Sequence, residues 1–231
     1  MAFIGTGSGF INGNGSNVAL FGGTGAATLL GGAGSDTVAG AAGLIEAGTA
    51  GGSLLFGSTM PGTTTLIGGA AGDFLNSGGR NTLMIAGRGT ETLTASQPST
   101  FRGFGGPQAP GAMTLFQAQT GGNTYLPGNG QTSILSATDA NGGSLFQESV
   151  SGSANTATIS GFVSGVDSIS GANPAGGSYA LVTGRGPGPQ EMSLSVNGAT
   201  STLTFGDGTR WTFTSVVHVG DFVNVASQGG V

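Results

Sequence analysis

The stretch that decides the fold begins at residue 22, where GGTGAATLL (22–30) runs directly into GGAGSDTVA (31–39), and GGAAGDFLN (68–76) repeats the arrangement. Each unit has a glycine-rich turn, then small polar residues, then an apolar residue. Counting by nine from Leu20 reaches Leu29, Val38, Ala47, Phe56 and Thr65, and counting on from the adjacent Leu66 reaches Leu75, Met84 and Leu93. The segment from Gly22 to Ala95 therefore has a nonapeptide period.

A period of nine residues is too short for a pair of helices, so each unit is predicted to form a tight turn and a short strand. Glycine supplies the positive φ angles of such turns, while the apolar side chains point inward as a stacked ladder. Stacked units of this kind form a parallel β-solenoid or β-roll. The predicted fold class is therefore all-β, with this solenoid followed by a C-terminal antiparallel β region.

The units resemble the calcium-binding nonapeptides G-G-x-G-x-D-x-apolar-x of repeats-in-toxin (RTX) proteins. The pattern is complete once, in residues 31–39, where Asp36 takes the acidic position. The preceding unit has Ala27 at that position, and after Gly43 the glycines drift in register. The repeats are therefore those of a degenerate RTX-like protein.

Calcium is the one cofactor that this resemblance implies, and it needs about six to eight oxygen ligands. Only Asp36 and Asp73 occupy the family's acidic position, so neighbouring turns lack a second carboxylate. We therefore expect most of the solenoid to need no metal, with hydroxyl and amide groups closing its turns. A single calcium site around Asp36 or Asp73 is the alternative.

From residue 156 the sequence changes to longer strands with alternating apolar residues. The segment 192–205 predicts a hairpin about Asn197 and Gly198, and a second hairpin is predicted about Asp207 and Gly208. Before that change, the apolar period resumes at Leu115, Tyr125, Ile134 and Leu145. The predicted organisation is an extended segment at 1–21, a solenoid at 22–155 with an irregular insertion near 96–112, and a C-terminal β region with an export signal at 156–231.

The C-terminal part also resembles RTX exoproteins. ISGFVSGVDSI (159–169) is similar to the I-x-x-F-x-x-G-x-D-x-I segment that follows the nonapeptides in them, including serralysin-type proteases. Asp221, Phe222 and Val223 are similar to the acidic-apolar motif that type I exporters recognise, although eight residues follow it here. The first basic residue is Arg80, so the start of the sequence lacks the charged region of a secretory signal peptide. The resemblance implies export by a type I route.

Composition excludes several classes of function. The chain has five arginines and no lysine among 231 residues, with a net charge of -5, so no basic patch for nucleic acid is expected. No apolar run reaches the length of a membrane span. His218 is the only histidine, which excludes a histidine-based zinc protease site. A Ser-His-Asp triad would have to use His218 with Asp207 or Asp221.

Carboxylate pairs are the remaining route to catalysis. Asp36 with Glu46, or Asp73 with Glu91, are the pairs that share a solenoid face. Paired carboxylates hydrolyse glycosides when they flank a substrate. Because the ten acidic residues are scattered and most are expected in solvated turns, the sequence predicts a protein that is not an enzyme.

The function that needs only these features is structural. We expect an exported protein that self-assembles head to tail into a filament, surface layer or biofilm matrix outside a bacterium. The chain is its own partner, with an extracellular polysaccharide as a second candidate. The predicted contacts are two apolar pairs in an uncharged N-terminal segment: Phe3 with Ile4, and Phe10 with Ile11.

The alternative is a binding module. A β-solenoid with a flat threonine-rich face acts as an adhesin or binds carbohydrate or ice, and Thr63, Thr64 and Thr65 are candidates for that face.

Overall fold

The computed structural model describes residues 1–15, 17–40, 42–59, 62–138, 142–149 and 155–226, and in these ranges the chain is nearly all β. Successive strands alternate between two sheets through β18, so one coil consists of one strand in each sheet and two turns. Strands are numbered β1 to β23 in chain order. The predicted parallel β-solenoid with a C-terminal antiparallel part is confirmed.

The larger sheet has 13 strands. Its strands pair in parallel from β1 to β22, then β22, β21 and β20 are antiparallel, and β19 lies parallel to β20 at the edge. In spatial order they are β1 Ala2–Phe3, β3 Ala19–Phe21, β5 Thr37–Ala39, β7 Leu54–Phe56, β9 Phe74–Ser77, β11 Glu91–Ala95, β13 Met113–Ala118, β15 Gln131–Leu135, β17 Thr156–Ser160, β22 Arg210–Phe213, β21 Thr200–Phe205, β20 Glu191–Asn197 and β19 Ala180–Thr183.

The smaller sheet has ten strands, all parallel to their neighbours. In spatial order they are β2 Gly9–Asn12, β4 Ala27–Leu30, β6 Gly43–Glu46, β8 Thr64–Ile67, β10 Thr82–Ile85, β12 Ser99–Arg102, β14 Thr124–Leu126, β16 Leu145–Gln147, β18 Ser168–Ser170 and β23 Phe222–Val223. A short 3₁₀ helix, Val219–Asp221, precedes β23. No helix in the described ranges is long and apolar enough to cross a bilayer.

Two nonapeptides make one coil. Ala2 pairs with Leu20 and Ala19 pairs with Thr37, eighteen positions apart in both cases. The nine-residue period is therefore the step from one sheet to the other. Later coils lengthen, as where Glu91 pairs with Thr114, because their turns carry extra residues.

The core lies between the sheets, and one side chain from nearly every strand enters it. The expected positions from Leu20 to Val38 and from Leu75 to Leu93 are buried. Between them Ala47 and Leu66 are buried as expected, but Ile45 and Leu55 also enter the core, and Phe56, which was expected there, faces solvent. Turns of unequal length shift the count, and the alternation within each strand then decides which neighbour points inward.

The same correction applies further along the chain. Phe116 and Phe146 are buried where Leu115 and Leu145 were expected, while Tyr125 and Ile134 are buried as expected. Rings of successive coils stack in this part of the core. Phe101 lies 5.1 Å from Tyr125, and Tyr125 lies 4.8 Å from Phe146, measured between ring centroids.

Glycines let the coils approach closely at the turns. A Cβ atom added to Gly32 would lie 2.0 Å from the Gly15 carbonyl oxygen, and one added to Gly23 would lie 1.5 Å from that of Gly5. Neither distance is compatible with a side chain. Close backbone contact between stacked turns, in addition to positive φ, therefore requires glycine here.

The structure moves the predicted boundaries. Residues 1–21 form the first coil instead of a free extended segment, since β1 pairs with β3 and β2 pairs with β4. The irregular part of the predicted insertion is shorter, because β11 extends to Ala95 and β12 follows at Ser99–Arg102. The roll also continues past residue 156 through β17 and β18.

Both predicted hairpins are present. Asn197 pairs with Thr200, so the first loop is Gly198–Ala199, one residue later than expected, and Gly198 has a φ of 62°. The second loop joins β21 to β22, with Gly208 at a φ of 91°. These hairpins close the C-terminal end of the larger sheet.

Candidate functional site: turn carboxylates, the C-terminal segment and an open edge

The two aspartates expected to bind calcium are buried and hold the backbone. Asp36 accepts hydrogen bonds from the N–H groups of Gly32 at 2.6 Å and Val18 at 2.8 Å. Asp73 accepts them from Gly69 at 2.7 Å and Ser53 at 2.8 Å. In each case one carboxylate oxygen accepts a hydrogen bond from the turn that precedes the aspartate, and the other accepts one from the previous coil.

A similar contact recurs on the other side of the roll. Asp167 accepts hydrogen bonds from the N–H groups of Val163 and Ser144, at 2.8 and 2.7 Å. Two coils earlier, Asn123 accepts from the Ser99 N–H at 2.9 Å. Buried backbone donors near the strand ends are thus satisfied by side chains of the next coil, as buried polar groups require.

Asp73 and Glu91 lie side by side in neighbouring coils, as Phe74 pairs with Thr92. The pKa of Glu91 is raised to about 8, mainly by burial; the hydrogen bond from the Gly87 N–H opposes this shift and the nearby charge of Asp73 adds to it. Burial likewise raises the pKa of Asp73, and four backbone hydrogen bonds oppose the shift. Glu91 is therefore mostly protonated at neutral pH, which avoids two adjacent buried charges.

These residues do not fit a calcium ligand set. Both oxygens of Asp36 and of Asp73 already accept backbone hydrogen bonds, and each aspartate is 1% exposed. In the described part of the chain no three His, Asp or Glu side chains converge as a metal site. The same burial removes Asp73 and Glu91 from contact with a glycoside. Glu46 lies on the outer face of β6, apart from Asp36.

The predicted export motif is folded into the C-terminal end. Asp221 and Phe222 are buried, and Phe222 pairs with Ile169 in the smaller sheet. The Asp221 carboxylate accepts hydrogen bonds from the Ser164 hydroxyl, at 2.8 and 2.9 Å, and from the Gly165 N–H, at 2.9 Å. The motif thus fastens the chain end to the loop between β17 and β18.

His218 adjoins this contact but does not complete a triad. Its Nδ1 lies 2.8 Å from the Ser164 hydroxyl, and its backbone N–H donates to Asp221 at 2.8 Å. In a catalytic triad the carboxylate binds the histidine, which in turn activates the serine. Here the carboxylate binds the serine directly, so the group acts as a structural clasp. His218 precedes the 3₁₀ helix and is not a strand residue.

In the part of the chain that the structure describes, no strand covers the N-terminal end of the roll. β1 and β2 are the outermost strands of the two sheets. Phe3 and Phe10 point outward and are 65% and 63% exposed, whereas Ile4 and Ile11 pack partly against the core. The four predicted contact residues therefore lie together on one coil, with the phenylalanines on its outside.

The three candidate threonines do not form one face. Thr64 is buried, Thr65 lies on the outer side of β8, and Thr63 precedes the strand. Adjacent strand residues point to opposite faces, so three consecutive threonines are divided between them.

Sequence reasoning missed two buried contacts. Glu148 accepts a hydrogen bond from the Tyr179 hydroxyl, and burial raises the pKa of Glu148 to about 7. Ser164 was also missed, since it is 57 residues from Asp221. The turn carboxylates do have a local signal: Gly32, Gly69 and Gly87 each precede the acid that binds their N–H by four residues.

One surface depression, of about 490 Å³, is lined mainly by glycine and uncharged polar residues, with Arg80 as its one charged side chain. Comparison of the chain with family models, curated proteins and solved structures finds no significant match.

Proposed function

We propose that this chain is a secreted structural protein whose copies join head to tail into an extracellular filament, surface layer or biofilm matrix. The observation that carries the proposal is the open N-terminal coil, where β1 and β2 each form a sheet edge. Edge strands present a row of backbone N–H and C=O groups that pair readily with another chain. Every internal coil of the roll is covered by a further coil in this way.

Strands of the opposite end can provide the covering. β19 and β23 are the last strands of the two sheets, and Ala180 of β19 pairs with Ala226 on the outer side of that strand. The larger sheet extends four strands beyond β17, whereas the smaller extends one strand beyond β18. The two sheets therefore end at different levels, and the first coil of the next copy is proposed to meet this stepped end.

This contact produces an open polymer. A head-to-tail interface joins unlike surfaces and continues indefinitely unless its rotation closes a ring. The chain has 15 charged residues among 231, so little electrostatic repulsion opposes association. Because residues 1–21 form the protein's own first coil, copies are proposed to meet edge to edge without exchanging this segment.

The test adds charge to the open coil. Phe3→Lys with Phe10→Lys places two cations beside the edges of β1 and β2, which blocks strand addition. Gln117→Lys with Gln131→Lys adds the same charge to exposed sites on β13 and β15, in the interior of the larger sheet. We expect filaments in electron micrographs of the parent and the control, and folded monomers of the first variant.

Two results would contradict the proposal. One is a parent chain that stays monomeric at high concentration. The other is a closed pair of copies joined through their N-terminal coils, which would indicate a twofold interface in place of a filament.

Export is proposed to use Asp221, Phe222 and Val223. Phe222→Ser changes the motif itself. Ser164→Ala removes the hydroxyl group that binds Asp221 in the folded chain and leaves the motif intact. We expect the first variant to remain in the producing cells and the second to be secreted. Equal secretion of both variants would remove the type I route from the proposal.

A polysaccharide is the second candidate partner. Thr158, Thr212 and Thr202 are adjacent on the outer face of β17, β22 and β21. We propose this row of hydroxyl groups as the threonine-rich binding face, since residues 63–65 do not form one. Replacing the three with valine keeps their shape and removes their hydrogen-bonding groups. Binding to insoluble polysaccharide that is unchanged by these replacements would exclude the row as the contact.

A further inference from the structure

Part of the outer face of the larger sheet, on β1 to β9, is largely apolar and carries no charge. On β1, β3, β7 and β9 the outward residues include a set defined here as the phenylalanine face: Phe3, Phe21, Leu54, Phe56 and Phe74. No outward side chain on these strands or on the intervening β5 is charged. The corresponding face of the smaller sheet differs, because Glu46 and Arg102 point outward from it.

The rings on this face are partly paired with each other and remain accessible. Phe3 stacks on Phe21 with a centroid distance of 5.0 Å, and Phe56 lies 6.4 Å from Phe74. Leu54 is 41% exposed and Phe56 is 36% exposed. Contiguous apolar surface of this kind marks an interaction site.

We propose that the phenylalanine face binds the same face of a second copy side by side, so that filaments associate laterally. The inference rests on the proposed filament. When two uncharged surfaces bind each other, no charged group is buried without a partner. Two copies of this face satisfy this condition. Sheets pack face to face in this manner with their strands roughly aligned.

The size of the face explains why the contact would act between filaments. Five strands spaced by about 4.8 Å and about 10–13 Å long give roughly 250–300 Å² per copy. A stable pair of proteins needs about 800 Å² on each partner. One contact is therefore too small to hold two free copies together, whereas a row of them along two filaments acts as a multivalent interface.

The test replaces apolar residues by the residue type found further along the same sheet face. Leu54→Thr with Phe56→Thr retains high strand propensity and removes most of the apolar surface. We expect single, separated filaments in micrographs where the parent forms bundles or layers. Leu54→Lys with Phe56→Lys should give the same result, and Gln117→Lys with Gln131→Lys serves as the charge-matched control. Circular dichroism establishes that each variant is folded.

The outcomes separate this inference from the proposed function. A parent without filaments contradicts the proposed function. Parent filaments that stay single, or variants that bundle as the parent does, overturn the lateral contact alone. A folded threonine variant without filaments also overturns it, because the face would then act in end-to-end joining. Binding of the parent chain to neutral phosphatidylcholine vesicles that is lost in the Leu54→Thr, Phe56→Thr variant would replace a second copy with a lipid surface as the partner of this face.

Discussion

The stacked coils and the C-terminal hairpins use glycine for different reasons. Around Gly32 the neighbouring coil lies so close that a Cβ would meet a carbonyl oxygen at 2.0 Å. Gly198, in the first hairpin, has no heavy atom within 4 Å of such a Cβ and needs glycine only for its φ of 62°. The coils thus depend on contact between neighbouring turns, whereas each hairpin depends on the backbone conformation of its own turn.

The largest expected effect separates these two kinds of glycine. Gly32→Ala forces two coils apart, and we expect it to lower the free energy of unfolding by roughly 3 kcal/mol or more. Gly198→Ala strains one residue in the left-handed region and should cost about 1–2 kcal/mol. Urea unfolding followed by circular dichroism compares them. Equal losses would mean that the turns of neighbouring coils are not in contact.

The next effect concerns the buried acids of the roll. Glu91, with a folded pKa of about 8, keeps its proton to higher pH than in the unfolded chain, where the ordinary value is 4.5. The contribution of this carboxyl group to the free energy of unfolding is fully present below pH 4.5. It is lost as the pH rises toward 8, and the loss amounts to roughly 2–4 kcal/mol. Glu91→Gln should remove most of this dependence and be more stable than the parent at pH 8.

Glu148 provides the comparison at the C-terminal side. Its pKa of about 7 predicts a smaller loss over the narrower window from pH 4.5 to about 7. Glu148→Gln should therefore flatten the pH profile less than Glu91→Gln does. A parent that is as stable at pH 8 as at pH 5 would show that neither acid is held protonated by burial.

The smallest expected effect is that of metal removal. The oxygens of Asp36 and Asp73 already accept backbone hydrogen bonds, so a chelator has no structural ion to extract from these turns. We expect the circular dichroism spectrum and the unfolding midpoint to be unchanged in EDTA. Loss of β signal in EDTA, with recovery on adding calcium, would mean that these turns open to bind the ion.

The sequence was sufficient for the fold class because its signals are local. Glycine spacing predicted the turns, and Asn-Gly and Asp-Gly predicted both hairpins. The register between Val38 and Leu66 was not predictable by counting, because the turns there differ in length and shift Ile45 and Leu55 inward. The predicted free N-terminal segment forms a coil because Ile11 pairs with Leu29 and packs against the core.

The contact between Ser164 and Asp221 joins residues 57 positions apart, and only the fold brings them together. The burial of Glu91 beside Asp73 has the same origin, because strand register places neighbouring coils in contact. The sequence predicted that Asp73 and Glu91 share a face of the solenoid. Their protonation and their role in closing turns depend on burial, which a sequence pattern does not give.

Fibre diffraction from aligned filaments of the parent chain tests the proposed assembly most directly. In head-to-tail filaments the strands of every copy stack along the fibre axis, at a spacing of about 4.7–4.8 Å. We expect a reflection at this spacing on the meridian, and we expect it to be absent from samples of the Phe3→Lys, Phe10→Lys variant because that variant forms no filaments. The same reflection on the equator, from rolls lying across the fibre, would contradict end-to-end joining through β1 and β2.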